Sequence, residues 1–240
     1  MDVKEEDILG ADIATHWYYV AKGRALRAFL RGVRAGALLD VGAGSGVFSR
    51  QLLDAGMCER ATCVDPAYAR EHDEIHNGRQ ITFLRAVERP AADLVLMMDV
   101  LEHVDDDRAL LRQYTDAMPQ GGRVLITVPA FRFLWSGHDV FLEHRRRYTR
   151  AGIEAAVRDA GLAVERCRYF YGLLFPAAAA VRLYRAWQLR HHEIEAKSDL
   201  RPAPAPLNRA LTLIHDLERV TLFRFNIFAG LSVFCLARKL

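Results

Sequence analysis

The residues best suited to chemistry begin at Asp40-Val41-Gly42-Ala43-Gly44-Ser45-Gly46, a glycine-rich turn between an apolar run and a helical pattern. Gly42, Gly44 and Gly46 let the backbone turn sharply and let a ligand meet main-chain N–H groups with no Cβ in the way. A dinucleotide fingerprint would place its third glycine at Val47, so this G-x-G-x-G turn suits a nucleoside without a pyrophosphate better. Asp65 closes the next apolar run, 25 positions after Asp40, where a carboxylate accepts both hydroxyls of a ribose. A second concentration is His138-Asp139, followed by His144-Arg145-Arg146-Arg147-Tyr148. Imidazole titrates near neutral pH, which makes His138 and His144 the candidate catalytic proton acceptors. The plainer alternative is that His138 and Asp139 form a hydrogen-bonded pair that stabilises a loop. Arg147 and Tyr148 are placed toward a substrate pocket, and the other arginines on a solvated face. His16, Trp17, Tyr18 and Tyr19 are adjacent and cannot share one helix face. Two of them belong to a core and one or two form a lid over cofactor and substrate; Tyr19 is the substrate candidate among them, and Trp135 is another. Glu102 and His103 are read as the approach to a helix rather than as chemistry.

Composition sets the frame for these residues. A hydrophobic fraction of 51% against 26% charged residues is that of a globular chain with a core, and it excludes disordered and collagen-like classes. The four cysteines lie far apart and form no CxxC, so no zinc ribbon or thioredoxin-like site is expected, and no metal. A reducing, cytoplasmic setting follows. The acidic start is unlike a secretory signal, and the longest uncharged apolar run, Tyr169 to Val181, is shorter than the roughly 20 residues a membrane span needs. Net charge is only +3, and the basic residues gather in 131–151, which suits a small anionic ligand rather than nucleic acid.

Stepping along the chain, the elements that would hold these residues are strands near Ala37–Val41, Ala61–Asp65, Ile81–Leu84, Asp93–Asp99, Arg123–Pro129, Leu162–Tyr169 and Leu231–Ala237. Continuous apolar runs between helical stretches predict an α/β fold, a doubly wound, mostly parallel sheet of seven strands covered on both faces. Asp105 or Asp106 would cap the helix after the fourth strand, and Thr149 the helix before the sixth. The chain reads as one domain: an N-terminal helix within 12–35, a core over 36–170, a helical hairpin inserted at 171–230 and a last strand at 231–240. Arg201-Pro202-Ala203-Pro204-Ala205-Pro206 is expected to be an extended linker between the arms of the hairpin.

On these motifs the chain resembles the class I S-adenosylmethionine-dependent methyltransferases. The residues that carry the likeness are Asp40 to Gly46, Val64-Asp65, Met98-Asp99-Val100-Leu101-Glu102-His103-Val104, and Gly121 to Pro129. His16-Trp17-Tyr18-Tyr19 and the His138-Asp139…His144 to Tyr148 segment are similar to a bacterial small-molecule subgroup that includes ubiquinone-biosynthesis O-methyltransferases. The resemblance implies a Rossmann-like fold with S-adenosylmethionine as cofactor and S-adenosylhomocysteine as product. It implies that Asp40, Gly42, Gly44 and Gly46 floor the cofactor site, that Asp65 takes the ribose hydroxyls and that Pro66 lies beside the adenine. Met98 and Asp99 would face the sulfonium, and Lys22 the methionine carboxylate. Where many relatives have an Asp for the adenine amine, this chain has Arg85-Ala86-Val87-Glu88, so Glu88 or the Val87 backbone would substitute. The implied activity is methyl transfer to a small molecule, most readily the oxygen of a partly lipophilic, acidic or phenolic acceptor. Nitrogen or carbon acceptors, and a non-catalytic cofactor-binding protein, are the alternatives. The inserted hairpin would cap the acceptor, or form a homodimer interface, or touch a membrane peripherally.

Overall fold

The computed structural model describes residues 8–88, 91–188 and 197–240; the acidic first residues and the side chain of Trp187 lie outside that description. Each apolar run becomes a strand: β1 (Ala35–Val41), β2 (Cys58–Val64), β4 (Arg79–Leu84), β5 (Leu94–Met98), β6 (Arg123–Pro129), β7 (Leu162–Phe170) and β8 (Ser232–Lys239). An eighth strand, β3 (His72–His76), was not anticipated. It is polar and largely exposed, so periodicity is silent about it, yet it pairs antiparallel with β4 across Asn77-Gly78. Both turn residues have positive φ, as a two-residue hairpin requires.

The sheet order is β3-β4-β2-β1-β5-β6-β8-β7. Its centre is parallel, and β8 runs antiparallel between β6 and β7, as expected of the final strand. Alternate residues feed two cores. Leu38, Leu96, Met98, Leu125 and Leu236 face one side, while Leu39, Val95, Met97, Ile126 and Cys235 face the other. A strand buried on both faces has no polar alternation to show, which explains the continuous apolar runs.

Helices α1 (Trp17–Phe29), α2 (Val47–Asp54), α3 (Asp107–Thr115), α4 (Gly137–Phe141) and α5 (Arg150–Asp159) surround the sheet. Two caps fall where the sequence puts them. The Asp106 carboxylate accepts from Ala109 N (2.9 Å) and the Thr149 hydroxyl from Gly152 N (3.1 Å). Helix α1 is shorter than expected, because a 3-10 turn at Gly10–Ala14 and the extended His16 precede it.

The insertion holds α6 (Phe175–Gln188) and α7 (Ala205–Val220). Ala205 and Pro206 sit in the first turn of α7 rather than in the linker, a position where proline loses no intrahelical bond. The arms also part company. Helix α7 packs along α1, where Asn208 Oδ1 accepts from Trp17 N (2.7 Å) and Arg24 pairs with Asp216. Helix α6 packs on the Arg132–Leu134 turn that follows β6.

Candidate active site

The glycine turn lies at the carboxyl ends of the parallel strands, where open α/β sheets take their ligands. Gly42, Gly44 and Gly46 have φ of 64°, 51° and 71°, a region that side chains disfavour. A Cβ at Gly46 would stand 3.0 Å from the Phe83 ring. Asp65 braces the turn: one carboxylate oxygen accepts from Gly44 N (3.0 Å) and the other from Ala67 N (3.0 Å). Beneath it, Asp40 is buried and accepts from the Ser49 hydroxyl (2.7 Å), while its other oxygen has no partner. Burial pushes the Asp40 carboxyl up to about 6.

Asp99 leaves β5 with φ of 56°, a left-handed turn that exposes its carboxylate. It accepts from Thr127 Oγ1 (3.1 Å) and from the wholly buried Lys22, whose ammonium also donates to Tyr18 Oη (3.0 Å). Burial alone would raise Asp99, but the charge and hydrogen bond of Lys22 outweigh it and hold the carboxyl below its ordinary range.

Asp99 opens onto a cavity of about 470 Å³. Its lining includes the polar Glu102, His103, His138, His144, Arg147, Arg182 and Asp199, and the apolar Trp17, Leu142, Ala178, Val181 and Leu200. Buried Asp139 organises two of these polar groups. It accepts from His144 Nδ1 (2.9 Å), from Arg147 Nε (2.6 Å) and Nη2 (3.0 Å), and from Ser136 N (2.8 Å). Desolvation opposes ionisation there, but the bonds from His144 and Arg147 hold the carboxyl well below the carboxylate range. An ionised Asp139 must receive the Nδ1 proton of His144, so the Nε2 lone pair is left available.

Comparison with known proteins follows from this geometry. Residues 14–166 match the methyltransferase domain family, more than half of the chain. The chain belongs to that family. It is 32% identical over 102 residues to a ubiquinone biosynthesis O-methyltransferase of Idiomarina loihiensis, covering 38% of this chain and 41% of that one. It is 29% identical over 150 residues to an uncharacterized methyltransferase of Mycobacterium leprae, covering 60% of this chain and 54% of that one. The chain thus spans about half the length of the curated relatives it matches, or less. Its fold superposes on a solved S-adenosylmethionine-dependent methyltransferase from Mesorhizobium loti with a TM-score of 0.57 and 16% identity, over 91% of this chain and 98% of that one. Family and fold bear out the methyltransferase domain with a Rossmann-like sheet that the motifs predict.

Within this methyltransferase the expected site residues separate. Lys22, Asp99, His138, His144 and Arg147 converge on one place, and the three glycines with Asp40 and Asp65 on the turn beside it. Pro66 and Val87 stand at the ends of β2 and β4, the first exposed and the second half-buried. Met98 does not face a ligand, because strand alternation turns its side chain into the core. Tyr19 is likewise buried, against Phe48, and the neighbouring Trp17 and Tyr18 line the cavity instead. Trp135 is half-buried and outside the lining. Tyr148 is a brace: its hydroxyl donates to Asp107 Oδ2 (2.8 Å) and lies 3.2 Å from the Leu101 carbonyl. Asp139 is bonded to Ser136, His144 and Arg147. His138 is pushed down to about 4 by burial, and its Nδ1 accepts from Asp199 N (3.2 Å). With Nδ1 accepting, the neutral ring carries its proton on Nε2. Glu102 is the functional candidate that sequence reasoning passed over; it is wholly buried in the lining with neither oxygen hydrogen-bonded.

Proposed function

We propose that this chain transfers the methyl group of S-adenosylmethionine to a hydroxyl of a small acceptor with a partly lipophilic body and an acidic or phenolic head. The observation that carries this reading is the cavity at Asp99, whose lining joins Ala178 and Val181 of α6 to the polar His144 and Arg147. The cofactor supplies a methyl already activated on a sulfonium, so the chain has to align two ligands and accept a proton. The residues present fit it. The three glycines hold the positive-φ turn, a Cβ at Gly46 would press on Phe83, and Asp65 presents a carboxylate at that turn for ribose hydroxyls to bond. Lys22 uses two of its three N–H donors on Asp99 and Tyr18, which leaves one for the methionine carboxylate. His138 donates to the acceptor head, Arg147 favours its negative charge, and His144 Nε2 takes the hydroxyl proton.

The test is release of S-adenosylhomocysteine with phenols, carboxylic acids and amines of graded alkyl length. Turnover should favour the longer phenols and acids, and turnover on amines alone would overturn the oxygen assignment. Ala178→Phe, which fills the apolar wall, should raise the acceptor KM at least about tenfold, as filling the space leaves no room for the ligand. Affinity for S-adenosylhomocysteine should be unchanged in that variant. Asp65→Ala should instead weaken that affinity by about 1.5–3 kcal/mol, the worth of hydrogen bonds to a charged group.

A further inference from the structure

The mechanism above leaves Glu102 without a task. Its carboxylate is wholly buried, it lines the acceptor cavity, and neither oxygen has a hydrogen-bond partner. A carboxyl buried without a partner stays neutral unless a cation stands beside it, so it is a group that a bound positive charge can convert to a ligand. Two imidazoles stand beside it. One ligand atom each from Glu102, His103 and His144 lies within 4.8 Å of the others, and all three residues line the cavity. We propose that these three side chains hold a divalent transition-metal ion that takes the acceptor's oxygen as a further ligand. The proposal rests on the reading of this cavity as the acceptor site, and it replaces the sequence expectation that the chain uses no metal.

The surroundings are built as a metal site needs. His144 Nδ1 donates to Asp139, which Arg147 and Ser136 hold from the other side, so the imidazole is fixed in the tautomer that presents Nε2. Such a carboxylate behind a histidine orients the ring and raises its basicity as a ligand. The two segments that supply the ligands are also laced together. Arg145 N donates to the Glu102 carbonyl (2.7 Å), Arg145 Nε to the His103 carbonyl (2.9 Å), and Arg146 Nη2 to the carbonyls of Val104 (2.9 Å) and Asp105 (2.7 Å). The arginines that the sequence left on a solvated face thus tie the loop after β6 to the turn after β5.

Two nitrogens and one oxygen suit zinc, manganese or iron better than calcium or magnesium, which prefer all-oxygen sets. Three protein ligands leave positions open toward the cavity, the mark of a reactive site rather than a structural one. An acceptor hydroxyl bound there becomes more acidic and loses its proton to water. Its oxygen then forms the new O–C bond as the C–S bond breaks, and sulfur leaves as the neutral thioether. With the ion bound, His144 is a ligand and the ion takes over the acidification that His144 would otherwise provide.

The experiment strips the full chain with a chelator and titrates it with Co²⁺, read by visible absorption and calorimetry. One ion should bind per chain and raise the melting temperature. Glu102→Gln and His103→Ala should each weaken Co²⁺ at least about tenfold while S-adenosylhomocysteine affinity, which reports folding, stays at the wild-type value. Chelation should lower turnover, and returning the metal should restore it. Absence of Co²⁺ binding, or equal binding by wild type and Glu102→Gln, overturns the site. Full turnover by the chelated enzyme removes the ion from the reaction. Co²⁺ binding that follows the variants, with no hydroxyl compound methylated, keeps the ion and overturns the acceptor reading instead.

Discussion

Asp40 shows how a ligand-binding turn is supported at a cost in stability. Its carboxyl is buried with one oxygen unpaired, and burial lifts it from an ordinary 3.8 to about 6. Between those values the folded chain holds a proton that the unfolded chain has released. The contribution of Asp40 is therefore most favourable below pH 3.8 and is lost as the pH rises through about 6. A shift of this size corresponds to about 3 kcal/mol. Asp40→Asn keeps an acceptor for Ser49 and removes the titration. The variant's stability relative to wild type should rise by up to about 3 kcal/mol between pH 4 and pH 7 and then level off. Denaturant midpoints across that range check it, and a difference that does not change with pH would refute the assignment. At this same scale the sequence is most ambiguous. Tyr18 and Tyr19 are one residue apart and equally suited to a pocket, but α1 turns about 100° per residue, so one lines the cavity and the other enters the core.

Among the elements, α7 is tied to the end of β7 by a buried carboxylate. Glu218 accepts from Gly172 N (2.6 Å) at the entry to the insertion and from His215 Nδ1 (3.0 Å) one turn earlier on its own helix. His215 stacks on Trp17 of α1 with ring centroids 5.5 Å apart. One side chain thereby joins the end of β7, the second arm and the helix that carries Trp17 and Tyr18 to the cavity. Glu218→Ala leaves Gly172 N and His215 without an acceptor and should cost about 3 kcal/mol, the penalty for stranding buried donors. Urea unfolding measures it, and a loss below about 1 kcal/mol would show that water takes the carboxylate's place. The apolar strands, the two caps and the existence of both arms were legible because apolar runs, an Asp or Thr before a helical stripe and a proline-rich break are local signals, whereas the polar β3 carried none. The partners of the arms were not. Leu207, Leu211, Ile214 and Leu217 describe a stripe, and no stripe states whether it will lie on α6 or on α1.

On the scale of the whole molecule, cofactor binding should be visible as stabilisation, since the glycine turn, Asp65 and Asp99 close over a ligand only when the sheet that aligns them is folded. S-adenosylhomocysteine at a hundred times its dissociation constant should raise the melting temperature by about 5–10 °C. Differential scanning calorimetry checks this, and no shift at saturating ligand would remove the nucleoside from the site. The sequence by itself determined that a parallel sheet forms, that its first turn is built on glycines and that a carboxylate ends the second strand. Each of these follows from the stereochemistry of a few consecutive residues: glycine where φ is positive, apolar runs where both faces are covered. The cavity at Asp99 was decided by tertiary structure. Trp17, Glu102, His144 and Val181 belong to four separate segments, and only the docking of those segments on the sheet brings their side chains to one place. Which rotamer faces the ligand and which nitrogen keeps its lone pair depend on neighbours such as Asp139 and Asp199, whose contacts the folded chain alone supplies.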